Sequence, residues 1–163
     1  MKTSQNISFE KISIKAGIII CIGYIMYFIF MKYMNLLDIA ELRSLNFLIL
    51  IVGLYFTFRY YKMKSQMHIE YLKGLSLGIF TSIISIVLFA IFIFIYFSEI
   101  DSQLLQQLKN NAPIMGHYLT PFSAAFTIIL EGGISGLIIS FAMMQYYKND
   151  PSNAKQELLK EKK

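Results

Sequence analysis

One carboxylic acid, Glu131, stands alone in an otherwise uncharged stretch from Pro121 to Tyr147. It lies three residues from the midpoint of that stretch, which is about 4.5 Å along a helix axis. If the stretch crosses hydrocarbon, an ionised carboxylate there is costly unless paired, so a hydrogen-bonded acid is expected. Thr127 lies one turn before Glu131 and Ser135 one turn after it, and both hydroxyls are within reach of the carboxyl on the same helix. Such a group has two uses. It locks helices together as a satisfied polar contact, or it exchanges a proton or cation. Packing is the favoured use, because no second intramembrane charge is available to complete a relay.

Other residue types with chemical potential are scattered. His68 and His117 fall outside the apolar runs, on opposite sides of any membrane, and read as solvated loop residues. Cys21 is the only cysteine, so an intrachain disulfide is impossible, and its expected place is that of a small apolar core residue. No phosphate loop, HExxH zinc motif, nucleophile elbow or Cys/His cluster occurs. The expectation is a protein without cofactor or metal and without enzymatic activity.

The elements that must position Glu131 follow from composition. In 163 residues, 56% are apolar, only 15% are charged and the mean hydropathy is +0.54, more apolar surface than a water-soluble fold can hide. The charges cluster between long uncharged runs, which begin and end at ions because each ion costs several kcal/mol at the bilayer centre. The expected class is all-α, an integral membrane four-helix bundle with spans near residues 14–34, 43–61, 73–98 and 120–147. The second is the shortest, since its uncharged run, Ser44 to Phe58, needs Arg43 and Arg59 to reach out to the headgroups. Thr120 and Pro121 make a suitable N-cap and first helical residue for the last span. Between the third and fourth spans Ile100, Leu104, Leu105 and Leu108 recur at helical spacing, which predicts a short amphipathic helix near 99–111. Residues 1–148 form one domain, and the polar tail 149–163 is expected to be disordered.

Orientation comes from basic residues. The N-terminal tail (Lys2, Lys11, Lys15), the segment Arg59 to Lys73 and the tail from Lys148 carry twelve of the fifteen, and the two intervening segments carry three, Lys32, Arg43 and Lys109. Positive segments stay in the cytoplasm, which predicts a multi-pass protein of the inner membrane with both termini cytoplasmic. Anionic headgroups are the expected partner of this charge, and nucleic acid is not, since no nucleic-acid-binding pattern accompanies it.

Projected at 100° per residue, the last helix carries a bulky arc, Phe126, Leu130, Ile134, Leu137, Phe141 and Met144, expected to face lipid. Ala124, Thr127, Glu131, Ser135 and Ala142 form a second stripe, with Ala125, Gly132, Gly136 and Ser140 beside it. This small and polar side is expected to face the bundle or a second copy. Gly132 and Gly136 make a small-xxx-small pair for close helix packing, and a homo-oligomer through the fourth helix is one expected use of it.

The chain resembles a bacterial membrane family known as domain of unknown function 4199. The resemblance rests on the four-span plan and on the run Arg59 to Lys62 leading through His68-Ile69-Glu70-Tyr71 to Lys73-Gly74, with Gly78 in the helix that follows. It rests also on Gly133-Ile134-Ser135-Gly136-Leu137-Ile138-Ile139-Ser140 before a basic tail. It implies no activity and no catalytic residues. The functional expectation is a non-enzymatic structural, interaction or accessory protein. The alternative is a small proton- or cation-coupled transporter using Glu131.

Overall fold

The computed structural model describes residues 9–34, 36, 45–64, 71–111 and 118–148. Every element among them is helical: α1 (Phe9–Tyr33), α2 (Leu45–Lys64), α3 (Tyr71–Ile95) continued by one π-helical turn (Tyr96–Ile100), α4 (Ser102–Asn111) and α5 (Pro121–Lys148). Expectations about Arg43, His68, His117 and the tail 149–163 fall outside the described residues.

Three of these helices are long and apolar enough to cross a membrane: α1, α3 with its π turn, and α5. α2 is 20 residues long and carries Arg59, Lys62 and Lys64 in its last turns, so its apolar part ends at Phe58. A helix satisfies its own backbone hydrogen bonds, so each of these segments is compatible with hydrocarbon. The membrane character of the chain follows from the three long apolar helices.

Helix directions alternate. Ring contacts of α1 with α3 advance together, from Phe9 with Phe80, through Tyr24 with Phe89, to Phe28 with Tyr96, so these helices run parallel. Between α1 and α2 the order reverses. A Cβ placed on Gly53 would lie 2.5 Å from Ile20, and one on Gly23 would lie 3.4 Å from Ile49. α5 runs antiparallel to α3, and α2 packs against α1, α3 and α5.

The interior is unlike that of a water-soluble bundle. Ser13, Thr57, Thr81, Ser82, Ser85 and Ser140 are buried, while large residues such as Ile19, Met26, Phe56, Phe80, Ile134 and Phe141 are exposed. Small residues let helix backbones approach, and in lipid there is no penalty for turning large apolar side chains outward. Most buried hydroxyls are satisfied within their own helix. Thr57 Oγ1 donates to the Gly53 carbonyl at 2.8 Å, Ser82 Oγ to Gly78 at 2.9 Å and Ser140 Oγ to Gly136 at 2.6 Å. Thr81 Oγ1 is the exception, buried with no partner among the described residues.

Two local expectations are met. α5 begins at Pro121, and the Ser123 N–H donates to Thr120 Oγ1 at 3.0 Å while the Thr120 N–H donates to Ser123 Oγ at 2.8 Å, a reciprocal cap. The amphipathic segment is α4, which starts at Ser102 rather than near 99, because Glu99 and Ile100 belong to the π turn and Ile100 is exposed; α4 buries Leu105, half-buries Leu104 and Leu108, and leaves Gln103, Gln106 and Gln107 exposed.

Candidate functional site

α5 divides into two adjacent stripes, and packing takes only one of them. Along the α3–α5 contact Gly78 meets Ser140, Ser82 meets Gly136 and Ile86 meets Gly132. These positions step by one turn on both helices in opposite directions. A Cβ on Gly136 would lie 2.6 Å from Ser82 Cβ, and one on Gly78 would lie 2.7 Å from Ser140 Cβ, closer than carbon atoms pack. The missing side chains are what bring the two helices together.

Glu131 is one residue, or 100°, away from Gly132, so seating the glycine against Ile86 swings the carboxyl off the interface. Glu131 and Thr127 are exposed and Ser135 is half-buried. Neither hydroxyl bonds the carboxyl, and among the described residues nothing hydrogen-bonds or ion-pairs with Glu131. Of the small and polar side, expected to face the bundle or a second copy, only part therefore faces the bundle. The glycines, with Ala124, Ala125 and Ser140, face inward; Glu131, Thr127 and Ala142 face outward. Gly132 and Gly136 are seated against Ile86 and Ser82 of α3 in the same chain. In the bulky arc, Phe126, Leu130, Ile134, Leu137 and Phe141 are exposed as expected, but Met144 is 1% exposed and belongs to the core.

A second polar constellation sits at the opposite end of the bundle from the start of α1. Lys32 Nζ, in the last turn of α1, donates to Asp101 Oδ2 at 2.8 Å and to the Tyr96 hydroxyl, and lies 5.1 Å from the Tyr96 ring centre. Tyr96 and Asp101 bracket the π turn, closed by the Asp101 N–H donating to the Tyr96 carbonyl at 2.9 Å. The widened turn offsets the helix end and carries Asp101 toward α1. Asp101 also caps α4, its Oδ1 accepting from the Leu104 N–H at 2.9 Å. The Lys32 ammonium, and after it the Leu104 N–H, holds the Asp101 carboxyl below its ordinary pKa. One carboxylate thus fastens α1, the end of α3 and α4.

Neither Lys32 nor Asp101 stands out in the pattern of apolar runs. The available signal was an Asp three residues before Leu104 at a helix start, a capping pattern. Cys21 is buried, as expected of a small core residue. Among the described residues no three His, Cys, Asp or Glu side chains converge as metal ligands.

No family model, no curated protein and no solved structure matches the chain. What the three long apolar helices define is a class, a helical membrane-embedded protein.

Proposed function

We propose that this chain is a non-enzymatic inner-membrane protein of interaction or accessory type, crossing the bilayer four times with both termini in the cytoplasm. The observation that carries the functional part is the outward presentation of Glu131. A residue serving an enclosed reaction site is turned into the bundle, whereas this one lies on the surface that another membrane protein would meet.

The four-span reading is supported by the alternation of helix directions. It brings the starts of α1 and α3 and the ends of α2 and α5 to one end, and the basic residues Lys11, Lys15, Arg59, Lys62, Lys64 and Lys73 belong to those helix ends. Lys62 Nζ lies 5.6 Å from the Tyr147 ring centre, joining the ends of α2 and α5. A basic, aromatic end of this kind suits an anionic cytoplasmic leaflet. Alkaline phosphatase fused after residue 40 or 115 is expected to be active, and after residue 66 or 163 inactive. High activity after residue 66 would mean that α2 does not cross.

A proton- or cation-coupled transporter is the second reading, because a mid-membrane carboxyl in a larger assembly has the chemistry for proton exchange. Proteoliposomes under a pH gradient separate the two. We expect proton flux through wild-type protein and Glu131→Gln to be indistinguishable from that of empty vesicles. A flux present in wild type and lost in Glu131→Gln would overturn the interaction reading.

A further inference from the structure

We propose that the outer face of α5 is a self-association seam, in which Glu131 of one copy meets Glu131 of a second copy at mid-membrane as a hydrogen-bonded pair of carboxylic acids. The inference rests on the four-span reading, since both copies must enter the bilayer in the same orientation.

Three observations carry it. Glu131 is exposed and has no partner among the described residues, yet lipid tails offer neither donor nor acceptor. Its depth is central: the α3–α5 register that pairs Gly136 with Ser82 and Gly132 with Ile86 puts Glu131 level with Val87, near the middle of Tyr71–Ile100. Lastly, the outward surfaces of α1 and α3 at comparable depth are apolar, with Ile18, Ile22 and Met26 on one and Ile83, Val87 and Leu88 on the other. Of these three outward faces, that of α5 is the one that carries a carboxyl at this depth among the described residues.

A second copy is the occupant that solves this without further assumption. Copies inserted in one orientation place every residue at the same depth, so a two-fold axis along the membrane normal brings Glu131 opposite Glu131. A carboxylic acid is both donor and acceptor, and therefore complements itself. Thr127 and Ser135 stand about 6 Å to either side along the axis, where their hydroxyls meet their own counterparts or the outer oxygens of the acid pair. Ala142, on the same line, is small enough to let the helices approach. A different partner would need a donor at this one depth.

The test uses full-length protein with Cys21→Ala, purified and reconstituted in vesicles of phosphatidylethanolamine and phosphatidylglycerol. Single cysteines are introduced as Thr127→Cys and Ala142→Cys on the seam and as Leu137→Cys about 120° around α5, all retaining Glu131. Under copper-phenanthroline oxidation we expect disulfide-linked dimers at 127 and 142 and none at 137. Adding Glu131→Leu is expected to weaken dimerisation roughly ten- to thirty-fold, as loss of two interhelical hydrogen bonds implies. Glu131→Gln, whose amide also donates and accepts, retains the dimer. Cross-linking at 137 equal to that at 127, no cross-linking at 127 and 142, or a dimer indifferent to Glu131→Leu would each overturn the seam. These failures leave the fusion-mapped topology standing, whereas an α2 that does not cross would appear in the fusions first. Labelling of Thr127→Cys by a permanently charged methanethiosulfonate in sealed vesicles would also overturn it, since the face would then line a water path.

Discussion

Gly136→Leu is expected to separate α3 from α5 and abolish the folded state in mild detergent, while Gly133→Ala, three residues away, leaves stability unchanged or raises it by up to about 1 kcal/mol. The contrast follows from what each new Cβ would meet. At Gly136 it lies 2.6 Å from Ser82 Cβ and 2.9 Å from Ser82 Oγ, and the first of these atoms is fixed to the α3 backbone. At Gly133 nothing lies within 4 Å. Even Gly136→Ala forces the helices apart, at a cost of about 1–3 kcal/mol by analogy with other overpacked interiors. Leucine adds three more carbons and clashes with Ile86 as well. Gly78→Leu behaves like Gly136→Leu, because the other half of the same contact, Ser140 and Phe58, has no room for it. The measurement is the fraction folded against the mole fraction of SDS, followed by circular dichroism. A Gly136→Leu variant that unfolds at the wild-type SDS fraction would contradict the packing described here.

Asp101→Ala is expected to lower stability by about 2 kcal/mol and to free α4. The Lys32–Asp101 pair is partly exposed, at 38% for the Lys32 side chain and 23% for Asp101, so its share is placed near the exposed-pair range, at about 1 kcal/mol. The cap on the Leu104 N–H contributes about 1 kcal/mol more. Lys32→Met therefore costs less than Asp101→Ala, because it leaves the cap in place. Asp101→Asn lies between them, since the amide oxygen still caps while the charge is gone.

The pH dependence has a definite sign. Because the folded-state pKa of Asp101 is depressed, its contribution is complete above the ordinary aspartate value of about 3.9 and is lost as pH falls through the depressed value. Wild-type melting temperature in detergent should hold from neutral pH down to about 4 and then fall. In Asp101→Asn that acid limb should be shallower. Amide hydrogen exchange locates the change, with faster exchange expected in α4 and little change in α3 before the π turn.

These two experiments probe the parts of the structure that patterning along the chain could not reveal. The apolar runs, the Thr120 cap and the amphipathic character of α4 were legible because a helix closes its hydrogen bonds within four residues, and local residue types decide where it starts and stops.

The facing of α5 is a different problem. Its sequence holds two small-residue stripes side by side, and nothing in the helix itself says whether Gly132 or Glu131 turns inward. That choice belongs to α3, whose Gly78, Ser82 and Ile86 recur every turn and meet Ser140, Gly136 and Gly132 at matched depths. The Lys32–Asp101 pair likewise joins residues 69 positions apart, brought together only because α1 and α3 run parallel and the π turn redirects the end of one toward the other. Local residue types are enough to make these segments apolar helices and to mark where most of them begin and end. Which face each one hides depends on its neighbours in the fold, because close approach requires a gap on one helix to coincide with a small side chain on the next.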